Sequence, residues 1–291
     1  MRGIVIALLV GQTFLSGLLS GQTGMSAPQL SLASRNGALR IVVVGDIGYG
    51  TDRVTAGIAK VAPIDAVIIP GDNIYSCGVQ SKNDPRWKRI ASLTTLGVPL
   101  FPVLGNHDYC GNPLAQINAP LPNWDFPAKQ YTIRSDIAEF AMLDTNPYLA
   151  GADDPLKPFL RDAFSGDSKW RIAVGHHTVV SSGYHGYFPR SAAQRMRTLI
   201  PLLRATGVDL YVCGHDHHQE LVDGQPRCLI SGAGSQPVPP IILRSETLFP
   251  ANAPFREPIG FTLLEITKDQ LAITFYDEHA QKRGGPIISK R

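Results

Sequence analysis

The chain has 291 residues, 44% hydrophobic and 18% charged, a globular balance with length for one large domain or two small ones. Its formal net charge of +3 is too mild to argue for nucleic acid, and no Lys/Arg run offers a track for a phosphate backbone.

The N-terminus reads as an export signal. Arg2 precedes an unbroken apolar run from Ile4 to Val10, and small and polar residues follow to Ser26. A membrane span needs about 20 predominantly apolar residues; Gln12, Thr13, Ser16 and Ser20 interrupt this one. Residues 1–26 are expected to be a signal peptide cleaved after Gly24 or Ser26, residues 27–37 a Ser/Ala-rich linker, and residues 38–291 a single domain. The mature protein is then expected in the periplasm or secreted, with no membrane span.

Ala38 to Val44 has the composition of a buried strand and breaks at Gly45-Asp46-Ile47-Gly48. Thr51 is placed to cap a helix with Val54, Ile58 and Val61 at helical spacing, and Pro63 stops it. Asp65 to Ile69 is a second strand, ending in Pro70-Gly71-Asp72-Asn73-Ile74-Tyr75. A helix should follow from the Asp84 cap and Pro85 to Gly97. Pro99 to Leu104 is a third strand, ending in Gly105-Asn106-His107-Asp108. This strand–helix–strand–helix–strand order predicts a parallel sheet with polar residues gathered at the carboxyl ends of its strands, where open α/β sheets bind ligands.

Asn112 to Lys129 reads as an irregular loop, then Tyr131 to Ser135 and Ile137 to Asp144 as strands. Asn146 to Pro158 reads as a loop and Pro158 to Phe164 as a short helix. Trp170 to Val174 is a strand ending in Gly175-His176-His177. Ser191 should cap a helix with Met196, Leu199, Ile200 and Leu203 on its apolar side, ended by Gly207. The next strand runs into Gly214-His215-Asp216-His217-His218. Leu229 to Gly234, Gly260 to Ile266 and Leu271 to Tyr276 are further strands, the last two a hairpin around Lys268-Asp269-Gln270.

Five strand ends therefore carry Asp46; Asp72 with Tyr75; Asn106; His176; and His215 with His217. Singly, each reads as an ordinary turn or cap residue. Together they supply too many oxygen and nitrogen donors for one tetrahedral zinc. Seven ligands suit two metal ions sharing a bridging carboxylate. Cys77 and Cys110 each lie a few residues past one of these ligands, so their loops should converge, and in an oxidising compartment a Cys77–Cys110 bond is expected. Cys213 and Cys228 flank what reads as a hairpin and are expected as neighbours, bonded or merely buried.

The stretches GDIG, GDNIY, GNHD, VGHH and GHDH, in register from about Ile41 to Gly234, resemble the five motifs of the calcineurin-like metallophosphoesterase superfamily. Tyr75 makes the chain most similar to its purple acid phosphatases of the small, tartrate-resistant type. The resemblance implies a four-layer α-β-β-α sandwich with two mixed sheets. It also implies a dinuclear hydrolase of phosphomonoesters, with a hydroxide generated at the metals attacking phosphorus in line. Asp46, Asp72, Tyr75 and His217 would hold Fe(III); Asp72, Asn106, His176 and His215 would hold a divalent iron, zinc or manganese, with Asp72 bridging. Hard phenolate and carboxylate donors favour the ferric ion; amide and imidazole suit the divalent one.

His107 and His185 match the two histidines that orient phosphate and protonate the leaving group. No role transfers to His177 or His218, which read as structural or solvent-exposed. The segment from Asn146 to Trp170 is short and unlike the regulatory loop of animal members, and Cys77 and Cys110 lie outside the motifs. Two other functions fit the resemblance: a phosphodiesterase of the same superfamily, and a non-catalytic binding module on this fold.

Overall fold

The computed structural model describes residues 27–151, 156–188, 191–242, 244–250 and 257–290. The signal peptide expected at residues 1–26 and the capping side chain of Ser191 lie outside them.

Two mixed sheets carry the chain, with strands numbered here in chain order. The first runs β1 (Gln29–Ser31), β5 (Tyr131–Arg134), β6 (Ala138–Met142), β7 (Trp170–Val174), β8 (Leu210–Cys213), β10 (Arg227–Ser231), β9 (Gln219–Val222), β11 (Thr247–Phe249). The second runs β14 (Lys282–Gly284), β13 (Gln270–Asp277), β12 (Gly260–Ile266), β2 (Leu39–Val43), β3 (Ala66–Ile69), β4 (Leu100–Pro102), with β15 (Ile287–Ser289) also on β13. As the strand–helix order predicts, β2, β3 and β4 are parallel, with Ile41 opposite Ala66 and Val67 opposite Leu100.

The two-residue period of a strand sorts side chains between two layers. On β7, Trp170, Ile172 and Val174 enter the core shared with the second sheet, while Ala173 faces the opposite side. On β8, Leu210 and Val212 enter the shared core, while Tyr211 and Cys213 face away. That outer face is covered by Leu156, Phe159 and Leu160 of one helix (Leu156–Ala163) and by Met196, Leu199 and Leu203 of two others. Outside the second sheet lie the helix Asp52–Lys60, which buries Val54 and Ile58, and the 3-10 segments Pro85–Arg89 and Ala91–Leu96. The result is the four-layer sandwich.

Several local expectations are corrected. The stretch 27–37, expected as linker, supplies β1, which pairs in parallel with β5. Thr51 stands at the N-cap of its helix as expected, but its hydroxyl makes no capping bond and instead bonds Ser92 Oγ at 2.6 Å. The helix expected from Asp84 to Gly97 is two 3-10 pieces, although Asp84 does accept from Arg86 N at 3.0 Å. The helix after Ser191 breaks at Thr198 into Ser191–Arg197 and Leu199–Ala205. Pro201, lacking an N–H, cannot donate to the carbonyl of Arg197. Cys213 and Cys228 do not flank a simple hairpin: β8 and β10 are parallel neighbours, and the two buried thiols stand unbonded with sulfurs 3.8 Å apart.

Cys77 and Cys110 are bonded, joining the loops after β3 and β4, with Cα atoms 4.9 Å apart. They close a loop with a sequence separation of 33. In the chain-entropy picture this stabilises by roughly 3–4 kcal/mol. Cys77→Ser/Cys110→Ser should therefore lower the urea midpoint and, by releasing a more expanded denatured chain, steepen its slope, and a non-reduced digest of the wild type should yield the linked peptides. Free thiols at both positions, or an unmoved midpoint, would refute it.

Candidate metal centre

The carboxyl ends of β2, β3 and β4 from one sheet meet those of β7 and β8 from the other. Three of the side chains there sit on left-handed backbone: Asp46 at φ 57°, Asp72 at φ 52° and His215 at φ 68°. Such conformations are uncommon away from glycine and cost on the order of 1–3 kcal/mol each. Local bonds hold them: Asp46 N donates to Gly71 O at 3.0 Å, His215 N to Asp46 Oδ2 at 3.0 Å, and His107 N to Asp72 Oδ1 at 3.0 Å. Two glycines permit this closeness. A Cβ on Gly214 would stand 2.2 Å from Asp46 Oδ2, and one on Gly105 2.1 Å from Asp72 Oδ1.

The seven sequence-derived ligands fall into two touching groups. Tyr75 Oη lies 3.0 Å from Asp46 Oδ1, 2.9 Å from Asp72 Oδ2 and 3.0 Å from His217 Nε2. His176 Nε2 lies 3.1 Å from Asn106 Oδ1, 3.1 Å from His215 Nδ1 and 3.5 Å from Asp72 Oδ1. Asp72 thus turns one oxygen to each group. The imidazoles are held from behind: His176 Nδ1 meets Pro70 O at 2.9 Å and His217 Nδ1 meets Gln236 O at 2.8 Å, which fixes the tautomer and frees Nε2 toward the centre.

Asp46 and Asp72 are buried, and among the described residues no Lys or Arg pairs with either; their ionic contacts are histidines. The surroundings respond. Burial, reinforced by Asp46 and Asp72, pushes the Tyr75 phenol far above its usual range. Burial works against a charged His217, yet the Asp46 hydrogen bond and charge prevail and raise it to about 9. His176 is raised in the same way, burial being outweighed by Asp72 and Asp46. His215 is lowered by burial and by His177 and His176. Buried anionic donors that draw protons onto their neighbours call for cations, and this donor set of carboxylates, phenol, amide and imidazoles fits two of them.

His107 and His185 stand at the edge of these groups. The His107 ring sets its edge to Tyr75 with centroids 4.6 Å apart. His185 lies on a one-turn helix, Tyr184–Tyr187, and its ring overlies His215 with centroids 3.9 Å apart. Burial, partly offset by Asp216, lowers its pKa. Neither His177 nor His218 is solvent-exposed. His177 bonds Thr145 Oγ1 at 2.7 Å and offers a ring nitrogen within 4.8 Å of those of His176 and His215. His218 meets Glu220 Oε2 at 3.0 Å, both buried.

The residues that hold the loops are those the sequence reading passed over. Asp216, between two ligand candidates, accepts from His185 N at 2.9 Å and Gly186 N at 3.1 Å. Glu220 accepts from Ser182 N at 2.8 Å and Thr247 Oγ1 at 2.8 Å. Buried Asp108 accepts from Asn73 N at 3.1 Å and Gly105 N at 2.8 Å, and from the amide of Gln116 at 2.8 Å. An acid inside Gly-Asn-His-Asp or Gly-His-Asp-His is the visible signal, but not what it bonds.

The sequence profile of the calcineurin-like phosphoesterase family matches residues 39–219, a stretch that contains all seven ligand candidates. Purple acid phosphatase 3 of Arabidopsis thaliana is 28% identical, over 85% of this chain and 77% of that protein. Tartrate-resistant acid phosphatase type 5 of Rattus norvegicus is 27% identical, over 82% of this chain and 86% of that protein. Among solved structures, GAP50, described as the anchor in the inner membrane complex of Plasmodium, superposes with a TM-score of 0.71 at 24% identity, over 87% of this chain and 89% of that one. With its two-sheet sandwich, its strand-end donors and a profile match across most of its length, the chain belongs to the calcineurin-like phosphoesterase family.

Proposed function

We propose that this phosphoesterase hydrolyses phosphomonoesters at a dinuclear centre. Asp46, Tyr75 and His217 would hold a ferric ion and Asn106, His176 and His215 a divalent iron, zinc or manganese, with Asp72 serving both. The observation that carries the reading is the placement of the two Asp72 oxygens, one against each group of donors. Bound cations would supply Lewis acidity, neutralising phosphate charge and activating water.

The remaining work falls to the chain. His107, beside Tyr75, and His185, beside His215, orient the phosphate. His185, held by Asp216, gives its proton to the leaving oxygen. The purple and tartrate-resistant acid phosphatases it resembles support the monoester reading. The Cys77–Cys110 bond supports an oxidising, exported location.

Metal analysis of the purified protein should find two ions per chain, and a phosphomonoester should turn over faster than a phosphodiester at matched concentration. Diester-selective turnover would assign a phosphodiesterase instead. The likeness to a protein described as an anchor favours one other reading, a binding module. Two bound metals without turnover of either ester would support it.

A further inference from the structure

We infer that Arg195 binds a second anionic group on the substrate, so that the enzyme selects phosphomonoesters whose leaving group carries another phosphate or a carboxylate. This rests on the phosphomonoesterase reading above. Beside the metal centre an open hollow of about 600 Å³ is lined by Asn106, Asn146, Leu149, His177 and Arg195, among others. A smaller hollow shares Leu149 and His177 with it and reaches His185 and His215. The two connect the ligand and proton-donor side chains to Arg195 along one surface.

Arg195 is half-buried near the end of the helix Ser191–Arg197. Its Nε donates to Tyr148 O at 3.1 Å, and its guanidinium carbon lies 4.7 Å from the centre of the Tyr148 ring. These contacts fix the plane of the group. Among the described residues it has no carboxylate partner. Two described arginines nearby are engaged elsewhere: Arg197 donates to Gly186 O at 2.9 Å and Arg244 to Ser181 O at 2.9 Å, both bracing the turn that carries His185. A guanidinium held flat at the wall of a hollow, its terminal nitrogens without a hydrogen-bond partner among the described residues, is prepared for a two-oxygen anion. Asn146 adds an amide on the same wall. The hollow borders the candidate ligands at Asn106 and also holds Arg195, so the substituent of a phosphate bound at the centre has room to extend along it.

The test compares three monoesters of short alcohols: ethyl phosphate with a neutral tail, phosphoglycolate with a carboxylate, and ethylene glycol bisphosphate with a second phosphate. Arg195→Gln should lower kcat/KM for the anionic-tailed esters by roughly 10–100-fold, as for loss of a charge-assisted contact, and change ethyl phosphate by less than about threefold. Arg195→Lys keeps the charge without the fork and should fall between. Loss confined to one anionic ester identifies carboxylate or phosphate as the group selected. Equal losses on all three esters would mean that Arg195 only braces Tyr148, and no loss on any would end the proposal. Calorimetric binding of phosphoglycolate to the wild type and Arg195→Gln is measured in parallel. If ethyl phosphate is not turned over at all, the phosphomonoesterase reading fails, and the binding difference still decides the role of Arg195.

Discussion

Replacing His185 with alanine should leave both metal ions bound and lower turnover by about 10²–10⁴-fold, the range of general acid–base groups. The ring lies against His215, centroids 3.9 Å apart and planes tilted by 37°. Its main chain is fastened from outside, through Asp216 and the bracing Arg197 and Arg244. Removing the imidazole therefore takes away a proton donor, not a ligand. The loss should be largest for alkyl phosphates, whose leaving oxygen needs a proton, and small for nitrophenyl phosphate, whose leaving group departs as an anion. Asp216→Asn should show the same leaving-group dependence in weaker form. It replaces one of two accepting oxygens with an amide nitrogen that meets an N–H head-on.

His176→Ala should behave differently. His176 ends β7, is fully buried, and has its Nδ1 anchored on Pro70 O. Sheet and carbonyl together aim Nε2 at Asn106, His215 and Asp72. The variant should lose divalent metal in proportion to its loss of turnover, and added metal should restore part of both. Metal content and turnover are read side by side. A His185→Ala protein that loses metal, or that keeps wild-type turnover of an alkyl phosphate, would refute the division of roles.

The legible and illegible parts of this chain follow from range. Asp46, Asp72, Asn106, His176 and His215 each stand directly after an apolar strand run, and parallel strands bring their carboxyl ends to one edge. Their convergence could be read from local pattern plus topology. The sheet order could not, since β10 enters between β8 and β9 by pairing in parallel with β8, across more than a dozen residues of chain. Nor could β1: the three residues Gln29–Ser31 have no strand composition of their own and become a strand by pairing with β5. Asp216, Asp108 and Glu220 are not legible in the sequence, because a buried carboxylate that accepts backbone N–H groups leaves no periodic mark. His185 was found by its register alone, in a glycine- and tyrosine-rich stretch whose single helical turn is fixed by tertiary bonds.

Tyr75→Phe should abolish the visible colour expected of the oxidised protein. A phenolate ligand to ferric iron absorbs visible light by charge transfer, and phenylalanine offers no donor atom. The fold should survive, because the ring itself is well seated: it stacks on Tyr49 at 4.5 Å and takes the edge of His107 at 4.6 Å, contacts that the substitution keeps. What changes is the centre of the first donor group. Tyr75 Oη is the atom that Asp46, Asp72 and His217 all face. In the metal-free protein its hydroxyl lies between two buried carboxylates, and as a phenolate it would offer iron a hard anionic donor. The variant should therefore hold iron less firmly in its oxidised state, and its metal-free form should melt lower than the metal-free wild type. Absorbance, iron content and melting temperature, taken on one preparation of each protein, measure all three effects. A wild-type protein that is colourless, free of iron and fully active would overturn the ferric assignment and make the centre one of zinc or manganese, with Tyr75 a hydrogen-bonding residue rather than a ligand.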